Sequence, residues 1–276
     1  MSPSSHQTGQ GSGPRPAPKL KSPREIGLMR EAGRVVAKAL DRVTQLAIPG
    51  ITTADLDEAV ASIFKEHDAI PLFRNYPNSK KGKPAFPACI CASLNEAVVH
   101  GIPNRRALKA GDIISIDTGC KVNGWCGDAA ITLAIGEVGP DARRLLDVTK
   151  ETLELSIRAI SRCKTWSEVA SLMERYVRSQ GMSVVEQFVG HGIGQTMHEE
   201  PQVPNFMTKD MKKKDFRLEP GLVLAIEPMV ALGTKNVDVL NDHWTVVTKD
   251  RRLSAHFEHT VALTVDGPRV LTYLED

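Results

Sequence analysis

"VHGIPNRRALKAGDIISID", Val99 to Asp117, carries two signals. A His-Gly-Ile tripeptide comes first. After a polar link, Gly111 opens an apolar run that ends in a carboxylate, Asp117. A charged group at the end of a buried strand is costly unless something neutralises it. The same order returns later: "GHGIG" (Gly190 to Gly194) precedes "GLVLAIE" (Gly221 to Glu227), so Glu227 follows its Gly as Asp117 follows Gly111.

Each copy is preceded by a pair of helical patterns. "SPREIGLMREAGRVVAKALDRVTQLA" opens with Ser-Pro-x-Glu, a cap with Pro at the first helical position, and repeats apolar residues at helical spacing from Ile26 to Leu40 until Pro49-Gly50. "TTADLDEAVASIFKEHDA" reads as a second helix. Asp141 to Ala159 and "TWSEVASLMERYVRSQG", with Gly181 as its stop, form the later pair, offset by roughly 112 residues. Two like halves packed face to face bring two His-Gly-Ile loops and two strand-borne acids to one centre. The expected class is α+β, with helices outside and antiparallel strands inside.

The acids extend the pattern. Asn123-Gly124 is a strong hairpin signal. A two-residue turn there pairs Val122 with Trp125 and Gly119 with Asp128, placing Asp117 and Asp128 on one face as diagonal neighbours. A bulge at Gly127 is the alternative register. Glu227 and Glu258 also sit in strand-like apolar contexts. Such acids could share a proton, lie as surface neighbours, or hold metal. Four acids converging with one or two histidines carry too much charge for a proton dyad and suit two divalent cations. Oxygen-rich ligation with one imidazole favours Mn, Fe(II), Co or Zn over a thiolate site. Four separately hydrogen-bonded acids remain the competing reading.

The histidines are ambiguous on their own. In "VGHGIGQTMHEEPQ", Val189 to Gln202, three glycines make a regular helix unfavourable, so the paired-histidine logic of HExxH does not apply. Alone, the stretch reads as two structurally satisfied histidines sooner than as a site.

Bulk properties narrow the class. The 276 residues are 41% hydrophobic and 25% charged with net charge +2, an ordinary globular balance that implies no acidic or basic partner. The basic run "KDMKKKDFR", Lys209 to Arg217, reads as a solvated surface loop, with RNA or ribosome contact the lesser alternative. Residues 1 to about 20 are rich in Ser, Gly, Gln and Pro and read as a disordered tail before a folded domain from 21 to 276. No secretory signal or membrane-length apolar run is present. Five cysteines, an odd number, fit reduced thiols in a cytoplasmic protein, and Cys89-x-Cys91 lacks the spacing of a zinc ribbon.

Taken in order, "HGIP", "IDTGCKVNGWCGD", "GHGIGQTMHEEP", "IEPMV" and "FEHT" resemble the type I methionine aminopeptidases, a resemblance that runs from Ser22 to Leu271. It implies the pita-bread (creatinase/aminopeptidase-like) fold, with two pseudo-symmetric halves, a central antiparallel sheet and outer helices. The family's metal ligands fall on Asp117, Asp128, His191, Glu227 and Glu258. By resemblance Asp117 chelates one ion, Asp128 and Glu258 bridge, and His191 and Glu227 complete the other. The implied cofactors are two divalent ions (Co, Mn, Fe(II) or Zn) and a monovalent cation, Na or K, on the carbonyls of Asn95, Ala97 and Ser254. The substrate-side histidines fall on His100, near the scissile amide, and His198, at the scissile carbonyl. Glu227 would shuttle the proton after attack by a metal-bridging hydroxide. The methionine pocket falls on Phe73, Tyr76, Phe86, Cys91, Met197 and Trp244.

Two departures stand out. Nine residues, "PNSKKGKPA", separate Tyr76 from Phe86 where the family usually has two, so either the segment loops out or the pocket rim is remodelled. Met197 stands where an aromatic is common. The 28 residues between His198 and Glu227 leave no room for the helical insertion of type II enzymes. The implied substrate is the N-terminal Met of nascent polypeptides with a small second residue, met by a monomer in transient contact with the ribosome, without membrane or specific nucleic acid. The alternatives are an X-Pro peptidase of the same fold, which usually carries a further N-terminal domain, and a non-catalytic binding module, which typically loses metal ligands.

Overall fold

The computed structural model describes residues 18–274. Most of the expected tail therefore lies outside the described residues. Helix α1, Pro23–Leu46, begins where the Ser-Pro-x-Glu signal places it. Ser22 Oγ accepts from Glu25 N (3.4 Å), while the Glu25 carboxylate accepts from Ser22 N (2.7 Å). This reciprocal capping box satisfies donors that a helix start leaves free. Helix α2, Thr53–Glu66, repeats the device with Thr52 and Asp55. Helices α3, Pro140–Ile160, and α4, Trp166–Ser179, form the later pair, and Gly181 follows α4 at φ 73°. The basic run holds one helical turn, Met211–Lys214, instead of a plain loop, because Met211 buries into the second half's core.

A nine-stranded sheet joins the halves through antiparallel neighbours. From Ile113–Val122 the order runs through Trp125–Ala134, Glu258–Thr264, Val223–Ile226 and Gly190–Gly192 to Glu199–Val203. The hairpin has the expected register: Val122 opposes Trp125 and Gly119 opposes Asp128, unbroken through Gly127. Asn123 (φ 49°) and Gly124 (φ 82°) both take left-handed backbone, as a primed hairpin turn requires.

The apolar runs hide a period of two. Ile114 and Ile116 face α1 and α2, packing among Val36, Leu40, Leu56 and Phe64. Leu224 and Ile226 pack in the other core with Leu153, Trp166 and Met173. Helices thus cover one face of the sheet in each half. The alternate positions, including Asp117 and Glu227, project to the opposite face. Two expected like halves are therefore present, and the acid-bearing face is what they share.

Candidate active site

Strand register alone gathers the acids. Ala130 lies opposite Asp117 on one side and Glu258 on the other, and Asp128 is two residues along on the same face. Ala225 lies opposite His191, with Glu227 two residues on. Five adjacent strands therefore deliver Asp117, Asp128, Glu258, Glu227 and His191 to one face, and all five are buried. The ligand atoms of Asp128, His191 and Glu258 lie within 4.8 Å of one another. His191 Nε2 stands 3.5 Å from Glu227 Oε1, while its Nδ1 is 2.9 Å from the carbonyl of Gly192. Donation from Nδ1–H to that carbonyl leaves Nε2 free as a donor atom. Among the described residues Asp117 joins no such triad, and its place rests on the strand register.

The electrostatics call for cations. Asp117 Oδ1, Asp128 Oδ1 and Glu258 Oε1 are buried without a hydrogen-bond partner among the described residues. Burial pushes the Asp128 carboxyl up to about 7. Burial raises Asp117, Glu227 and Glu258 well above the usual carboxylate range, and neighbouring carboxylates add to the rise. Carboxylate oxygens beside an imidazole, with no thiolate among the five, fit divalent cations in the Mn-to-Zn range. The five sequence-predicted residues thus match the donor chemistry of the implied ions.

Two glycines let the histidine loops approach. A Cβ on Gly101 would sit 2.2 Å from the carbonyl oxygen of Ala92, and one on Gly192 would sit 2.4 Å from that of Glu200. Only glycine tolerates such backbone contact. The duplicated His-Gly-Ile signal therefore marks the same close approach in both halves. His100 itself takes left-handed backbone (φ 61°), and its ring meets Phe188 (5.2 Å) and Trp244 (6.2 Å) edge to face. The His198 ring lies 4.3 Å from that of His191, and its Nδ1 is 2.9 Å from the Tyr76 hydroxyl. Its Nε2 is buried with no partner among the described residues. Burial holds the His100 and His198 imidazoles well below their usual range, so both are neutral near pH 7.

Beside this face, Phe73, Phe86, Cys91, Met197 and Trp244 close into one buried apolar cluster, with Tyr76 at its edge. Cys91 opposes Asp117 in register, so the pocket begins one strand from the acids. The nine-residue segment loops out. Phe86 N donates to Tyr76 O (2.9 Å), pinching its base, and residues 79–85 are exposed. It still braces the pocket: Trp244 Nε1 donates to Pro84 O (3.0 Å) and Asn78 Nδ2 to His243 O (3.1 Å).

Sequence reasoning missed four residues. Leu72, Ala88 and Ile102 join the pocket cluster; the Ile of the first His-Gly-Ile motif was the available signal. His256 groups with Glu227 and Glu258, again within 4.8 Å. Glu199 lies apart from the clustered acids, in a 2.7 Å partly buried salt bridge with Lys21. Ser254 N donates to Asn95 O (3.0 Å), which brings together two of the three segments expected to hold a monovalent cation.

Residues 27–265 match the Metallopeptidase family M24. Methionine aminopeptidase 1 of Bacillus subtilis is 45% identical over 252 residues, 91% of this chain and 98% of the relative. The methionine aminopeptidase of Clostridium acetobutylicum is 44% identical over 257 residues, 93% and 99% of the two chains. The crystal structure of the methionine aminopeptidase from Thermotoga maritima superposes with a TM-score of 0.86 at 38% identity, covering 93% of this chain and all of the other. The prolidase from Pyrococcus furiosus, at 18% identity and a TM-score of 0.67, shares the fold, and this chain covers 66% of its length.

Proposed function

The chain belongs to metallopeptidase family M24, and from that premise we propose that it removes the N-terminal methionine from nascent proteins and peptides. The observation that carries this reading is the junction of the apolar pocket with the acid face, Cys91 directly opposite Asp117. A flexible thioether side chain fills the pocket while the adjoining amide faces the acids. Asp117, Asp128, His191, Glu227 and Glu258 hold two divalent ions from the set Co, Mn, Fe(II) and Zn. Bound there, such ions supply an activated water and Lewis-acid polarisation of the carbonyl.

The chain's own groups complete the chemistry. Tyr76 O–H donating to Nδ1 of His198 leaves the proton on Nε2, which is then free to donate to a developing oxyanion. His100, held rigid by its backbone and by Phe188 and Trp244, orients the scissile amide. Glu227, beside His191, takes a proton and returns it to the leaving amine. A monovalent cation on the carbonyls of Asn95, Ala97 and Ser254 is part of the same proposal.

The catalytic domain spans 21–276, a boundary supported by Lys21, whose N–H donates to Gly221 O (2.7 Å). The site of action is the cytoplasm, as a monomer in transient contact with the ribosome. Buried free cysteines at 89, 91, 120 and 126 fit a reducing compartment. No helix among the described residues is long and apolar enough to cross a membrane. The test is a Met-Ala-Ser peptide against an Ala-Pro peptide with each candidate metal. Release of Met is expected. Cleavage of the proline-linked bond without Met release overturns the reading.

A further inference from the structure

His256 is used by none of the roles above, yet it points into the acid centre. We propose that its Nε2 is a sixth protein ligand, adding a second imidazole to the ion held by Glu227 and Glu258. The inference rests on the metallopeptidase reading and extends it.

Three observations carry it. Nε2 of His256 is buried with no partner among the described residues. It stands 3.9 Å from Glu258 Oε2, and the ligand atoms of Glu227, His256 and Glu258 lie within 4.8 Å of one another. That separation is too long for a hydrogen bond. It is within the span of two donors on one ion, at most about 4.2 Å, twice a bond of about 2.1 Å. Finally, the backbone that aims the ring is fixed. His256 N donates to Thr132 Oγ1 (2.9 Å), and the same hydroxyl donates to His256 O (2.7 Å). Thr132 lies on the hairpin strand that also carries Asp128. His256 pairs with Met229 on the other side, in a separate three-stranded sheet. The imidazole is thus delivered from outside the nine-stranded sheet, clamped to the strand of an acid at the same centre.

A second imidazole changes metal preference. Nitrogen donors favour Zn over Mn, whereas carboxylates serve Mn as well. His256→Gln should weaken Zn binding roughly 10- to 100-fold, the range for disturbing a metal site, and Mn binding less.

The experiment strips the full-length protein of metal and titrates Zn and Mn calorimetrically. It then loads one equivalent of Cu(II) and counts coupled imidazoles by pulsed electron paramagnetic resonance. The native protein is expected to show two. His256→Gln and His191→Gln should each show one, with an unchanged circular dichroism spectrum. A single coupled imidazole in the native protein, lost in His191→Gln, overturns the proposal even if the His256 variant fails to fold. So does unchanged Zn affinity in a folded His256→Gln. If Met release persists in either case, the proposed function stands while this inference falls. A native protein that neither binds divalent ions nor releases Met overturns both.

Discussion

His198 shows how much one side chain depends on its neighbours. Neutral and half-buried, it is oriented through Nδ1 by a hydroxyl from the other half of the molecule. His198→Ala should lower kcat by a factor of roughly 10²–10³, the usual loss for an oxyanion donor. Tyr76→Phe removes only the orienting bond and should lower kcat by about 2- to 10-fold, the equivalent of one net hydrogen bond, with KM nearly unchanged. Steady-state kinetics on Met-Ala-Ser checks both, and equal kcat in all three proteins would remove His198 from the chemistry. Asp128→Ala should abolish turnover while the circular dichroism spectrum stays native. The pairing behind Asp128 was legible in the sequence because Asn123-Gly124 fixes the turn and a strand's period of two does the rest. His256 was not legible. It precedes Glu258 by two residues, but Phe257 separates strands of different sheets, so spacing gave no hint that its ring shares the acids' centre.

At the scale of elements, the segment between Tyr76 and Phe86 is the clearest departure from its surroundings. Its base is closed by the Phe86 N to Tyr76 O bond, so its removal need not disturb the pocket floor. It meets the pocket wall through Pro84, the acceptor for Trp244 Nε1, while Asn78 donates to the neighbouring His243 O. Replacing residues 78–84 with a Gly-Gly link should leave metal affinity and kcat intact. KM for Met peptides should rise by up to about tenfold, as one net hydrogen bond to a pocket wall is lost. A change in kcat with constant KM would place the segment in the chemistry instead. The sequence revealed the extra length of this loop by counting. Its direction depends on contacts with residues 243 and 244, far along the chain, which no local pattern encodes. Helices α1 and α2 were the opposite case, since their caps are written within four residues.

For the whole molecule, metal binding and protonation are linked. Raised carboxylates such as Asp128, at about 7, contribute their full stability below the ordinary carboxylate pKa near 4 and lose it as pH rises through 7. His191, held down to about 4 by burial, runs the other way: its contribution is present above its ordinary pKa of about 6.5 and lost as pH falls through 4. A divalent ion needs the carboxylates ionised and finds His191 already neutral near pH 6. The rise in melting temperature on adding Mn or Zn should therefore grow from pH 5.5 to 7.5. Melting curves with and without chelator across that range check this, and a gap independent of pH would mean the acids are ionised without metal. The duplication was the large-scale feature most visible in the sequence, since each half repeats its helices, its loop and its acid-ended strand.

Gly101 and Gly192 will confuse any attempt to find the catalytic residues by saturation mutagenesis. Neither has a functional group, yet each faces a carbonyl oxygen at a distance no side chain survives. In a growth-based selection, both should be as intolerant as the metal-facing acids. A parallel score of soluble abundance would separate the two kinds of essential position. Replacements at the glycines should deplete the protein itself, whereas those at Asp128 should leave it abundant and inert.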